Sequence, residues 1–393
     1  MSIYLDHAAT TALRPEARDA WLHASQQVGN ASSVHAAGRA ARRLLEGARE
    51  EVAAGLGCEP IEVVLTSGGT ESINLALKGL WWAWGGSVVL PDGEHHATLE
   101  TAEWLHAQGA PIRRVALDAH GAIPVAAFAE ALAAGARDAG DGPAPGVATA
   151  VVANNEVGTV NDAAGLAAVS AAAGVALHLD AVGAVGQTPV DFAAWRAGAR
   201  GGAGLVALSV SGHKLGAPAG TGALVVSRHA EPVALLHGGG QQRGLRSGTP
   251  DVAGAVALAA ALRAAVAERE HTAARLRALR DELVAGVRRA VPDAVLLGDP
   301  ERRLPGNAHF LFPGARGETL LFLLDAAGVS ASTGSACQAG IAEPSHVVMA
   351  MGHDEHDARC VLRFTLGRTS DPGDVTALLA ALPDAVARSR AAG

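Results

Sequence analysis

The chain has 393 residues, 18% of them charged, and a formal net charge of −8. That length can bury two substantial cores and excludes a disordered chain, while the acidic balance argues against direct binding to nucleic acid or an anionic membrane, which favour basic surfaces. The cysteines Cys58, Cys337 and Cys360 are too few and too odd in number for a disulfide framework and form no CxxC pair for a metal, and the opening MSIYLDHAATT has no basic region followed by an apolar run, so we read a reduced, cytosolic protein.

In chain order, residues 34–57 place Val34, Leu44, Leu45, Val52 and Leu56 among arginines and glutamates, the pattern of a long amphipathic helix. Apolar, strand-like runs recur at 63–66, 87–90, 112–116, 147–153, 175–179, 204–209 and 223–226, mostly with helical patterns between them. The alternation predicts an α/β fold with a mainly parallel, seven-stranded sheet covered on both faces. The stretch 136–146, ARDAGDGPAPG, reads as a loop between elements. From 252 the pattern becomes a long helix and then an Arg/Glu/Leu-rich helix to about 290, leading to a smaller C-terminal α/β domain. The expected division is a large domain over 15–256 and a small domain formed by 1–14 with 257–393.

Polar residues suited to chemistry sit at the ends of these strands. VVLTSGGTESINLAL is strand, glycine turn and helix, with Gly69 and Thr70 at the helix start, where free N–H groups and the dipole hold a phosphate; no Gly-Lys-Ser/Thr follows, so it is not a Walker loop. In PDGEHHATLE either His95 or His96 could lie on a flat ring, and in VVANNEVGTV either Asn154 or Asn155 could hydrogen-bond a ring oxygen. VALHLDAVGAVG ends a strand with Asp180, where ligands enter an open α/β sheet, and its carboxylate could pair with a protonated pyridine nitrogen. In SGHKLGAPAGTGAL, Ser211 and His213 could donate to a phosphate, and Lys214 could form a Schiff base with an aldehyde cofactor. ASTGSACQAGIAEPSHVVMAMG sets Cys337 among small residues, which favours a reactive thiol, whereas Cys360 reads as core and Cys58 as inert. Arg363, in ARCVLRFTLG, offers a guanidinium for bidentate binding of a carboxylate.

Taken together, from YLDHAATT to RFTLGR, these segments resemble the class V branch of fold-type I pyridoxal phosphate enzymes, specifically the long-loop cysteine desulfurases. The resemblance implies an L-cysteine desulfurase with pyridoxal 5'-phosphate, in which Lys214 moves the α-proton and Cys337 takes the substrate sulfur as a persulfide. It selects His95 for stacking, with some help in proton transfer, and Asn155 over Asn154 for the ring oxygen. It assigns the substrate carboxylate to Arg363 rather than Arg368, and matches Asn30, in NASSVHAAGR, to a substrate-side loop that acts with Asn155. It also makes HGGGQQRGLRSGTPD a loop that crosses a homodimer, with Thr249 holding the partner's cofactor phosphate. The implied sulfur acceptor is an iron–sulfur scaffold, a tRNA-thiolation protein or a biosynthetic sulfur carrier. The alternatives are a selenocysteine lyase, another class V lyase or transaminase, or a weakly active sulfur-relay subunit. One departure stands out: DAVG places Gly183 where the family has a glutamine three residues after the aspartate, with Gln187 the candidate replacement donor.

Overall fold

The computed structural model describes residues 3–133, 143–334 and 343–392, so Cys337 lies outside the described residues. Its strands are β1 Ile3–Tyr4, β2 Val63–Thr66, β3 Ser87–Pro91, β4 Ile112–Val115, β5 Pro145–Val151, β6 Ala176–Asp180, β7 Gly204–Ser211, β8 Gly222–Val226, β9 Val295–Leu297, β10 Asn307–Leu311, β11 Val329–Ser330 and β12 Val361–Thr365. The run from β2 to β8 forms the expected seven-stranded sheet, in the order β2-β8-β7-β6-β5-β3-β4. Only β8 runs opposite to the other six strands. The segment Gly212–Thr221 that joins it to β7 is shorter than the dozen or so residues a parallel crossover needs, so β8 must turn straight back.

Both faces of this sheet are covered, which explains why its strands read as unbroken apolar runs. Successive residues alternate between two cores: Val63, Leu65, Ala223 and Val225 face one, while Val64, Leu224 and Val226 face the other. The amphipathic helix expected over 34–57 spans Ala36–Leu56 and stops where Gly57 adopts φ 67°. Val34 lies outside that helix and is exposed. Strand β5 begins at Pro145, inside the stretch expected to be loop, because Pro145 pairs with Ser87 and, past a bulge at Gly146, Val147 and Ala148 pair with Val88 and Val89 of β3.

The two helices expected after 252 are one, Val252–Ala290, of 39 residues. No glycine or proline falls between Gly254 and Gly286 to interrupt it. Its Ala255–Ala265 portion packs in the large-sheet core and its Leu276–Val287 portion in a second core, so the division drawn at 256/257 falls within a continuous helix. That second core backs an antiparallel sheet ordered β12-β10-β9. The N-terminus is stitched to the same unit: β1 pairs with β11, Asp6 bridges to Thr365, and Thr365 donates its N–H to Leu5 O at 2.7 Å. These contacts bring His7, Ala8 and Ala9 to the wall of a cavity and Asp6 against Arg363. No helix among the described residues is long and apolar enough to cross a membrane.

Candidate active site

The carboxyl ends of β5, β6 and β7 open onto two adjoining cavities, where an open α/β sheet binds ligands. Both cavities are lined by His95, Asp180, Val182 and Lys214. One extends over Ser67, Gly68, Gly69, Thr70, Ser211 and His213; the other extends over Asn155, Gly183, Gln187, Asn307 and Arg363.

The first cavity is built around a helix start. Helix Gly69–Trp84 has no side-chain cap, so its leading N–H groups are free for a ligand. Its N-cap, Gly68, has φ 151°, a conformation that L side chains rarely adopt, and β8 passes so close that a Cβ on Gly222 would lie 2.6 Å from Gly68 Cα. Glu71 would repel an anion here were it not occupied. Burial works against its charge, but Arg246 at 2.8 Å and the Ser67 N–H at 2.7 Å hold its carboxyl below the usual range.

Lys214 ends a short turn, Gly212–Lys214, and its Nζ donates to Ala8 O and, at 2.8 Å, to Ala9 O. Burial and then Arg363 lower its pKa to about 8. Asp180 closes β6; burial raises its carboxyl to about 6, against the Val182 N–H at 2.9 Å and Lys214. A buried carboxyl shifted in this way is suited to a cationic ring partner, which would restore its charge. His213 approaches Thr10 Oγ1 at 3.2 Å, and burial followed by Lys214 lowers its pKa.

His95 and Asn155 separate from their identical neighbours. His95 caps helix His96–Ala107, its Nδ1 accepting the Ala97 N–H at 3.0 Å, and burial lowers its pKa to about 4. The neutral ring therefore carries its proton on Nε2, as a donor. Asn154 is consumed by its own turn: its amide donates to Gly93 O at 3.0 Å and its oxygen accepts from Glu156 and Val157. Asn155 instead lines the cavity with Oδ1 buried and without a partner.

Arg363, on β12, donates from Nη1 to Asn155 O at 2.6 Å and from Nη2 to Asp6 at 2.8 Å, leaving Nε buried and unpartnered. An unmade buried hydrogen bond costs about 1–3 kcal/mol, so Asn155 Oδ1 and Arg363 Nε favour a polar ligand. Glycine cradle, buried carboxyl, lysine of lowered pKa and open amide together fit pyridoxal phosphate.

Two expected residues are not brought to this site within the chain. Asn30 is exposed, outside both linings, with Oδ1 accepting the Ser32 N–H at 2.9 Å to close its own turn. Thr249 is exposed too, because the loop carrying it leads outward to the Asp251 cap of the long helix. Cys58 has its thiol pushed up to about 12 by burial, and Cys360 is buried, so neither is poised as a nucleophile. His96, the alternative to His95 in the sequence, lines the cavity as well, as do His7, Gly306 and Asn307, which received no role from sequence.

The aminotransferase class-V family model matches residues 3–378. An IscS-like cysteine desulfurase of Mycobacterium tuberculosis (strain H37Rv) is 48% identical over 397 residues, 99% of this chain and 97% of the relative. A solved NifS-like protein superposes with a TM-score of 0.87 at 29% identity, over 99% of this chain and 100% of that one. SspA, solved in complex with cysteine, gives a TM-score of 0.77 at 27% identity, over 93% and 99%.

Proposed function

Because the chain belongs to the class-V aminotransferase family, and within it to the cysteine desulfurases, we propose that it uses pyridoxal phosphate to take sulfur from L-cysteine, releasing L-alanine and leaving a persulfide on Cys337. The observation that carries this reading is the two-part cavity, which joins Lys214, Asp180 and His95 to a glycine cradle on one side and to Arg363 and Asn155 on the other. When bound there, the cofactor supplies an electron sink for charge developing at the substrate α-carbon.

The chain's own groups divide the work. With the cofactor bound, the N–H groups of Gly69 and Thr70, with Ser211 and His213, would hold the phosphate, while His95 would stack on the ring, Asp180 would pair with the ring nitrogen and Asn155 with the ring oxygen. A pKa of about 8 leaves a usable neutral fraction of Lys214 near neutral pH, so once released from the Ala8 and Ala9 carbonyls it can take the α-proton. Arg363 holds the substrate carboxylate and must share its guanidinium with Asp6. The thiolate of Cys337 attacks the substrate sulfur: an S–S bond forms and the C–S bond breaks with its electron pair passing to carbon, and a proton on the β-carbon together with the α-proton returned by Lys214 completes alanine.

Thr249, exposed in one chain, acts on the cofactor phosphate of a partner subunit in a homodimer. The protein works in the cytoplasm and passes its sulfur to an iron–sulfur scaffold, a tRNA-thiolation protein or a biosynthetic sulfur carrier, which mass spectrometry of partners trapped on Cys337 would identify. The test of the activity is alanine formation from L-cysteine with mass spectrometry of the protein-bound sulfur. Cys337→Ser should keep the absorbance change caused by cysteine and lose alanine and persulfide. Undiminished desulfuration by that variant would remove Cys337 from the mechanism, and selenocysteine turnover with no sulfur left on the protein would favour a selenocysteine lyase.

A further inference from the structure

Sulfur transfer needs a proton carrier besides Lys214, since the attacking thiol arrives with an S–H and the substrate β-carbon leaves with an added C–H. His95 is badly placed to accept a proton: the Ala97 N–H occupies its Nδ1 lone pair, and the neutral ring bears its hydrogen on Nε2. His96 is different. Its ring lines the same cavity, and its Nε2 is buried with no hydrogen-bond partner.

Behind it stand a second imidazole and a buried carboxyl group. The rings of His96 and His346 are 4.8 Å apart at 61°. His346 Nε2 donates to Glu94 O at 2.9 Å, so in a neutral ring its Nδ1 is bare, yet Nδ1 stands 3.8 Å from Glu156 Oε1, which also lacks a partner. A ring nitrogen of the half-buried His346 thus stands beside a buried carboxyl oxygen that has no partner. Both flanks of the segment that bears Cys337 also meet at this glutamate. Ser345 Oγ donates to Glu156 Oε2 at 2.5 Å, and a Cβ on Gly334 would lie 3.1 Å from the same oxygen. The charged and titratable groups around His96 are His95 on its own segment, Glu94 before it, His346 and Glu156 behind it, and Lys214 and Arg363 across the cavity.

We propose that His96, oriented by His346 and Glu156, is a second catalytic acid–base residue that carries the proton of the attacking thiol to the substrate β-carbon. The thiol proton passes to His96, the S–S bond forms as the C–S bond breaks, its electron pair goes to carbon, and His96 returns the proton to that carbon. The exchange balances with no further reactant. This inference rests on the desulfurase reading above.

The test compares full-length holoenzyme with His96→Gln, His346→Gln and His95→Gln, following the cysteine-induced absorbance change and single-turnover alanine and persulfide against pH. His96→Gln should keep the absorbance change but form alanine and persulfide at least about 100-fold more slowly, and lose one ionisation from the pH profile of that step. His346→Gln should retain that ionisation at a displaced pH, with a smaller loss. Turnover of His96→Gln within about threefold of wild type with an unchanged profile overturns the proposal. So does disappearance of the same ionisation in His95→Gln, a result that stands even if His96→Gln fails to fold. Wild-type protein that makes no alanine from cysteine overturns the desulfurase reading and this inference with it, whereas active wild type with indifferent His96 variants overturns this inference alone.

Discussion

Gly183→Gln should lower the pH at which the bound cofactor's absorbance titrates. The position can take a side chain: its φ lies outside the left-handed region, and an added Cβ meets only Ala153 O, at 3.1 Å, so a shift of a few tenths of an ångström accommodates it. Gly183 lines the cavity with Asn155 and Gln187, so an amide there can donate to the ring oxygen. A hydrogen bond to a charged group is worth about 1.5–3 kcal/mol, and 1.36 kcal/mol corresponds to one pH unit, so a donor that favours the deprotonated, oxygen-charged form should lower the midpoint by on the order of one to two units. The assay is a spectrophotometric titration of the two holoenzymes side by side. An unchanged midpoint in a variant with wild-type melting temperature would refute the reasoning. Gln187 enters the same argument, because its Nε2 already leans back to Gly183 O at 3.3 Å beside the cavity. If Gln187 supplies the donor in the native protein, Gln187→Leu raises the midpoint by a similar amount and Gly183→Gln moves it little in the same experiment.

Lys214→Ala should yield protein without the yellow colour and without an adduct reducible by borohydride; an adduct that survives would place the cofactor on another lysine. For Asp180, burial raises the carboxyl from 3.8 to about 6, so the folded state binds this proton more tightly than the unfolded chain. Its contribution to stability is therefore present below pH 3.8 and lost as pH rises to about 6, on the order of 3 kcal/mol in the cofactor-free protein. Asp180→Asn should remove this loss and make the cofactor-free protein more resistant to urea than wild type at pH 7, while weakening cofactor binding. Equal urea midpoints at neutral pH would show that the buried carboxylate carries no such cost.

What could be read from sequence follows from which contacts are local. The strands were legible because burial on both faces turns Val63–Thr66 and Gly222–Val226 into continuous apolar runs, and the cradle because glycines at a strand-to-helix turn satisfy a backbone need within a few residues. The N-terminal share of the site was not legible. His7, Ala8 and Ala9 reach the cavity only through pairing of β1 with β11 and the bridge from Asp6 to Thr365, contacts that no neighbouring pattern encodes. Asn30 shows the reverse situation within one chain, since a side chain that matches a motif stands outside both linings with its oxygen engaged by its own turn.

Paired identical residues mark the limit most sharply, because composition is the same and only backbone conformation separates them. His95 holds an extended N-cap conformation, φ −65° and ψ 147°, and turns Nδ1 onto the second N–H of the helix; His96 begins the helix and sets its ring against His346. The cap takes away the first imidazole's capacity to accept a proton, while the second keeps a free nitrogen beside the cavity. Asn154 and Asn155 divide in the same way, the first spending its amide on the turn and thereby holding the backbone that presents the second. In both pairs the structural residue fixes the turn that leaves its neighbour open to a ligand, so Asn154→Ala should lower folding stability and impair the site through Asn155 together, and a destabilised variant with unchanged kinetics for cysteine would contradict that order of cause.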